Sequence, residues 1–213
     1  MYLKNSLSDS IDYRIKHLEA FQGKKLSKKF FDIVEAFEDK EIKEAVAINY
    51  HKVLAYKDEY EVARLHLGTR QKVSEKFENV KKIKFHLAPP LISKEEKNGR
   101  AKKIEFGEFT VHIFKMLAWL KWLRGTKFDI FSYSKDRRLD LGLIKEYQHD
   151  LQFVKKLNFD KDKELILELL NLPSSIKGFG IVRRKNYEAV SIQRKNLLKK
   201  ISNSSEILGH AAE

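Results

Sequence analysis

The chain has 213 residues, of which 42% are hydrophobic and 11% aromatic, so it can form a core and is not wholly disordered. It contains no cysteine, which excludes disulfides, thiolate nucleophiles and cysteine-ligated zinc or iron–sulfur sites from this sequence. The net charge of +13 is compatible with a polyanionic partner, but the lysines are interleaved with acidic residues along the whole chain, which favours a lysine-rich background instead.

Apolar residues recur every three or four positions through most of the chain, and this spacing predicts helices. The first two predicted helices cover residues 8–21 and 27–38. The longest pattern covers residues 41–66 without a glycine or proline and predicts one helix of about 25 residues, roughly 37 Å long. We expect residues 1–40 to form an N-terminal helical pair or linker that leads into a main domain at 41–200.

The period changes in residues 81–90, KKIKFHLAPP, where apolar side chains alternate with lysine or histidine. This alternation predicts a half-buried strand that ends at the two prolines. Asn98–Gly99 is a turn signal, and residues 104–106 suit a returning strand. The predicted fold class is therefore mainly α, a helical domain with a small β-hairpin at about residues 81–106.

Residues 108–123 are apolar on nearly every side of a helix, which predicts a central, buried helix. The longest apolar patch, FKMLAWLKWL at 114–123, is shorter than the roughly 20 residues that cross a bilayer and contains lysines. The first 13 residues lack the apolar run of a signal peptide. We expect a cytoplasmic protein without a membrane partner.

Three further helices are predicted in the last third of the chain, at 135–157, 161–171 and 185–200, and the last of them is basic. A glycine-marked loop at 177–184 precedes the basic helix. We expect residues 201–213 to form a mobile tail.

No motif in the sequence indicates a catalytic or metal site. The seven histidines lack the spacing of a metal site, and we assign His86, at the predicted strand end, a structural role. Nucleophile-elbow, phosphate-loop and dinucleotide-binding motifs are also absent from the sequence. We therefore predict neither a catalytic residue nor a metal ligand in this chain.

The stretch AYKDEYEVARL, residues 55–65, is the densest block of charge around tyrosines. In a helix its ion pairs would be i,i+4 neighbours, and an exposed pair of this kind contributes only about 0.3–0.5 kcal/mol. Tyrosine with arginine is common at interfaces. The composition favours a docking surface or an ordered intramolecular ion network over catalysis, and we predict an interdomain contact through Lys57, Asp58, Tyr60, Glu61 and Arg64.

Five stretches occur in a specific order: AYKDEYEVARL, FHLAPP, GRAKKIEFG, LRGTKFDIF and LPSSIKGFGIV. In this order they resemble the carboxy-terminal domain of the large, fused indolepyruvate ferredoxin oxidoreductases, in the 2-oxoacid:ferredoxin oxidoreductase family. The resemblance covers about residues 10–200. It implies part of an enzyme that oxidatively decarboxylates arylpyruvates to acyl-CoA with thiamine diphosphate, magnesium, coenzyme A and iron–sulfur clusters, and passes electrons to ferredoxin.

The resemblance implies that these cofactors bind in upstream domains and that this chain binds none of them. Because the chain lacks cysteine and a recognisable diphosphate–magnesium motif, no catalytic residue is carried over. The chain is then a non-catalytic accessory domain, either a fragment of a longer polypeptide or a separately encoded subunit, whose partners are the catalytic domains. Three arginines are weaker candidates for an anionic group such as a coenzyme A phosphate: Arg100, Arg124 and Arg183.

An alternative hypothesis is a free-standing basic, helical nucleic-acid-binding protein. It rests on the net charge of +13 and on the basic segment at 182–200, and it predicts affinity that falls steeply with salt. A helical scaffold unrelated to the oxidoreductase is a third alternative. Because the lysines are spread rather than clustered, we favour the accessory domain and do not expect a nucleic-acid partner.

Overall fold

A computed structural model describes the backbone of residues 6–87, 102–157 and 159–209. Within these ranges the chain is mainly helical and has a single two-stranded antiparallel sheet, which confirms the predicted fold class. No helix in the described part of the chain combines the length and the apolar composition that crossing a lipid bilayer requires.

The chain divides into two compact units. We call Met1–Tyr56 with Leu139–Glu213 the terminal unit, and Lys57–Arg138 the central unit. The predicted domains, 1–40, 41–200 and 201–213, follow the chain in order, whereas the terminal unit combines both ends of the chain. The predicted division into domains at 1–40, 41–200 and 201–213 stays a prediction.

Three helices open the terminal unit: α1 (Leu7–Gln22), α2 (Lys24–Glu35) and α3 (Lys40–Leu54). Ser6 caps α1 in a reciprocal capping box with Asp9, and both groups satisfy backbone N–H donors that a helix start leaves open. These helices pack on one another, so the two predicted N-terminal helices are present and part of the terminal unit.

The predicted single helix at 41–66 is wrong, because the chain leaves the helical conformation between α3 and α4 (Glu59–His66). Asp58 has extended backbone and accepts a hydrogen bond from the backbone N–H of Glu61 at 2.7 Å, so it is the N-cap of a new helix. An aspartate side chain that bonds to the backbone at a helix start favours a break over a continuous helix. Here the buried ion pairs of Asp58 with Arg124 and Arg137 hold the side chain in this capping position.

The central unit continues with α5 (Thr69–Ser74), β1 (Phe85–Leu87), β2 (Ile104–Phe106), α6 (Thr110–Trp119) and a 3₁₀ helix (Leu120–Leu123). The two strands are antiparallel, with Phe85 opposite Phe106, which confirms the predicted hairpin. The Asn98–Gly99 turn signal and the two prolines lie outside the described residues. The small core of the central unit contains Ala63, Phe85 and Phe114.

The later helices are α7 (Lys135–Val154), α8 (Phe159–Asn171), a second 3₁₀ helix (Leu172–Ser175) and α9 (Gly180–Gly209). The predicted helices at 135–157, 161–171 and 185–200 are all present with shifted ends. The backbone is helical through residue 209 and Ile201 is buried, so the segment predicted as a mobile tail starts as packed helix.

The core of the terminal unit joins helices from both ends of the chain. α3 packs on α8, and α8 packs on α9. Three aromatic rings form a stacked series through this core: Phe30 lies 6.0 Å from Tyr50, and Tyr50 lies 6.1 Å from Tyr147. Other fully buried members of the core are Leu18, Val34, Ile42, Val46, Val154, Ile166, Leu170 and Ile201.

Candidate functional site

A buried group of charged residues, which we call the ion cluster, lies inside the central unit and has Asp58 at its centre. Arg124 donates from Nε and Nη2 to the two carboxylate oxygens of Asp58, at 2.6 and 3.0 Å. Arg137 Nη1 lies 3.0 Å from the same carboxylate, and Arg137 Nη2 donates to Glu59 at 3.0 Å. The side chains of Asp58, Arg124 and Arg137 are only 1–3% exposed, so these ion pairs are shielded from water.

Asp129 extends the ion cluster and orders the loop after the 3₁₀ helix. Its carboxylate accepts hydrogen bonds from the backbone N–H groups of Gly125 and Phe131 at 3.2 Å each, and from the hydroxyl of Tyr60 at 3.1 Å. Burial, followed by the adjacent Asp129 carboxylate, raises the pKa of Tyr60 well above its usual range. Tyr60 therefore stays protonated and keeps its donor role.

The structure shows an ordered intramolecular ion network at the predicted contact residues. Asp58, Tyr60 and Glu61 are buried in the central unit, and Arg64 donates to Glu61 at 2.6 and 2.8 Å. Lys57 is exposed. Because the charges of the ion cluster face one another, its evident role is to fix the start of α4. The contact of these residues with other domains stays a prediction.

Of the three arginines proposed as anion ligands, two lie among the described residues, one in each unit. Arg124 is part of the ion cluster of the central unit. Arg183 lies in the terminal unit, where its Nη2 is 2.5 Å from the carboxylate of Asp140. Arg100 lies outside the described residues. An anion at Arg124 would have to compete with Asp58, whose carboxylate holds the guanidinium in a bidentate pair.

Two described histidines, both in the terminal unit, form a close pair. Nε2 of His51 lies 3.0 Å from Nδ1 of His17. Burial lowers the pKa of His51 from 6.5 to about 4, and the positive charges of His17 and Arg14 act in the same direction. Among the described residues, no group of three His, Asp or Glu side chains is placed to hold a metal ion.

His86, for which we predicted a structural role from the sequence, is exposed on β1, opposite Glu105.

The low pKa of His51 predicts an acid-sensitive terminal unit. As the pH falls from 6.5 to about 4, the unfolded chain binds a proton at residue 51 before the folded chain does. The free energy of unfolding is therefore expected to be highest above pH 6.5 and to decrease towards pH 4. Denaturant unfolding between pH 7 and 5 should show a shallower decrease for His51→Gln than for the wild-type chain. Equal slopes in the two proteins would contradict the assignment.

The predicted burial of the helix at 108–123 is wrong on one side. α6 packs on α4 through one face, where Phe114 is buried against Phe85 and His66. Its opposite face is exposed, because the short central unit places α4 on only one side of this helix. The exposed side chains follow helical spacing, and we call them the aromatic face: Phe109, Ile113, Met116, Trp119 and, in the 3₁₀ helix, Trp122.

The aromatic face is large for a surface patch. Phe109 is 76% exposed, Trp119 70% and Trp122 58%. At roughly 150–250 Å² per aromatic side chain, these three expose about 300–500 Å². That is the size of the largest apolar patch on a typical monomer, a patch that is often functional. The two indole rings are edge to face at 6.2 Å, and Phe109 stacks on His112 at 5.6 Å, so the face has a defined shape.

The model of one protein family, described as a family of unknown function and designated DUF6537, matches residues 7–196. The chain belongs to the DUF6537 family. No curated protein and no solved structure matches this DUF6537 chain. The match includes helices of both units and the aromatic face.

The sequence patterns in this DUF6537 chain did not reveal the aromatic face, because an all-round apolar helix is typical of a core. A usable signal was present in the composition. Two tryptophans and three lysines occur between Phe109 and Phe128. Lysine is rarely buried and tryptophan is enriched at protein interfaces, so this composition is typical of a helix with an exposed, partner-binding side. The pattern of one helix does not show which elements pack around it, and α6 packs on α4 through one face.

Proposed function

We propose that this DUF6537 chain is a non-catalytic C-terminal domain, or a separately encoded subunit, of a thiamine-dependent 2-oxoacid:ferredoxin oxidoreductase, and that it docks on the catalytic domains. The single observation that carries the docking role is the aromatic face of the central unit, with Trp119 and Trp122 exposed side by side. Aromatic side chains of this kind dominate the binding energy of protein interfaces. The ordered motifs across about residues 10–200 support the choice of enzyme.

The complete enzyme would oxidatively decarboxylate an arylpyruvate such as indolepyruvate to an acyl-CoA in the cytoplasm. Thiamine diphosphate, magnesium, iron–sulfur clusters and coenzyme A would bind to the catalytic domains, and ferredoxin would accept the electrons. This chain has no cysteine to ligate a cluster, so its residues do not fit that cofactor. Its proposed contribution is to assemble or shape the enzyme.

The ion cluster supports docking by holding the aromatic face in place. Arg124 directly follows the 3₁₀ helix that carries Trp122, and its bidentate pair with Asp58 ties this segment to the start of α4. α4 in turn packs along the inner side of α6. A surface fixed in this way loses less conformational freedom on binding, which favours affinity.

The basic helix α9 gives little support to the alternative of a nucleic-acid-binding protein. Two arginines of its basic segment already bind carboxylates within the terminal unit: Arg183 binds Asp140, and Arg194 forms a bidentate pair with Asp150 at 2.5 and 2.7 Å. Arginines held in this way are less available for phosphate groups. We therefore propose only the accessory-domain function.

The proposed function is tested by mixing the purified chain with separately purified thiamine-binding and cluster-binding domains of the oxidoreductase from the same organism. We expect a stoichiometric complex in size-exclusion chromatography and a measurable Kd in calorimetry. A chain that stays monodisperse and shows no heat of binding at tens of micromolar would contradict the proposal.

A further inference from the structure

We infer that the partner surface of the aromatic face is an apolar protein groove bordered by carboxylates. This inference rests on the proposed function, because the catalytic domains are taken as the partner. The first observation is the charge around the face. Between Glu108 and Asp129 the chain contains Lys115, Lys121 and Lys127 and no acidic residue.

Lys115 is placed to border the aromatic face. It is exposed on α6, three residues after His112 and four before Trp119, and residues at these spacings are neighbours on a helix surface. In the following loop Lys127 is exposed beside Phe128, which is itself 75% exposed. Trp119 and Phe128 therefore each have an exposed lysine as a neighbour. A carboxylate on the partner would pair with that lysine at the rim of an interface.

Of the two acidic residues that flank this segment, only Glu108 is exposed, and it lies at the start of the segment, before α6. Asp129 is buried and accepts hydrogen bonds within the ion cluster. Glu108 lies before the first turn of α6, where the helix N-terminus favours a carboxylate. The exposed charge along α6 and the following loop is thus that of Lys115 and Lys127.

A second copy of this chain fits the aromatic face poorly. A symmetric dimer would bring the face of one copy, with Lys115, against the same face of its partner, and like charges across an interface are costly. The net charge of +13 adds to this repulsion. The charge pattern thus favours a different protein with acidic residues around an apolar site.

An anionic membrane shares part of this chemistry, because tryptophan and lysine also suit a lipid surface. The shape of the face favours a protein. The edge-to-face pair of Trp119 and Trp122, and the stack of Phe109 on His112, form fixed projections that match pockets of a folded partner. The face also supplies roughly half of the about 800 Å² that each partner of a standard interface buries.

The test measures Kd and association rates for the intact chain and the catalytic domains of the oxidoreductase, at 50 and 300 mM salt. We expect Lys115→Glu with Lys127→Glu to weaken binding about tenfold, mainly through slower association and with loss of the salt dependence. Trp119→Ala should weaken binding about 30-fold or more, mainly through faster dissociation. Matched controls on α1, Tyr13→Ala and Lys16→Glu, change equally exposed side chains and should stay within about twofold of wild type.

The outcomes separate the inference from the proposed function. If the wild-type chain binds and the Lys115, Lys127 and Trp119 variants bind equally well, the inference is overturned and the proposed function stands. If the wild-type chain does not bind the catalytic domains, both are overturned. Binding to vesicles of phosphatidylglycerol and phosphatidylcholine, or self-association in sedimentation, that is lost in Trp119→Ala would assign the face to a membrane or a second copy and overturn the inference.

Discussion

Asp58→Ala is expected to lower the free energy of unfolding of the central unit by about 3–5 kcal/mol. The substitution removes the carboxylate that Arg124 and Arg137 share, at a site where the side chains of both arginines are only 2–3% exposed. It also removes the N-cap of α4, a loss of about 1 kcal/mol within that range. Because two buried cations lose a carboxylate that they share, this is the largest effect that we expect from a polar side chain.

The measurement is peptide-resolved hydrogen exchange combined with denaturant unfolding. Peptides of α4 and α6 should exchange faster in Asp58→Ala, since both helices belong to the central unit. Asp32→Ala is the control, because Asp32 forms an exposed i,i+4 pair with Lys28 and should contribute about 0.5 kcal/mol or less. A change in Asp58→Ala no larger than in this control would mean that the ion cluster does not hold the central unit together.

Phe30→Ala is expected to lower the free energy of unfolding of the terminal unit by about 3–5 kcal/mol. The Phe30 ring is fully buried and stacks on Tyr50, which in turn stacks on Tyr147. Truncation removes this apolar surface and leaves a cavity among α2, α3 and α7 that rigid helices cannot fill completely. Tyr50 would also lose one of its two stacked aromatic neighbours.

The adjacent phenylalanine provides a matched control on the same helix. Phe31 is 43% exposed, so Phe31→Ala should lower the free energy of unfolding by less than about 1 kcal/mol. Circular dichroism during denaturant unfolding compares the two variants directly. Equal destabilisation by both substitutions would contradict the assignment of the Phe30–Tyr50–Tyr147 stack to the core.

The sequence predicted those features of the fold that depend on local pattern. The alternation around Phe85 predicted a strand, and the returning strand at 104–106 pairs with it. The helix predicted at 135–157 is α7, and its buried apolar side chains from Leu143 to Val154 recur every three or four residues, as helical spacing requires. Such patterns show which side of a helix or strand faces apolar neighbours. They can be recognised without knowing which distant residues those neighbours are.

Long-range contacts explain the two wrong predictions. The helix predicted at 41–66 ends early because Asp58 binds Arg124, which lies 66 residues further along the chain. α6 is apolar all round, yet its outer side is uncovered, since the number of elements packed around a helix is a property of the whole unit. The candidate docking site, with Trp119 and Trp122, was therefore missed by the sequence patterns, whereas the ion network was anticipated as one of two alternatives.

The most direct test of the docking account is hydrogen exchange and residue-level footprinting of this chain, free and in complex with the catalytic domains of the oxidoreductase. If the aromatic face docks on the catalytic domains, Trp119, Trp122 and Met116 become protected from oxidative labelling in the complex, while Tyr13 on α1 is labelled equally in both states. A complex in which these three side chains are labelled as strongly as in the free chain would contradict it.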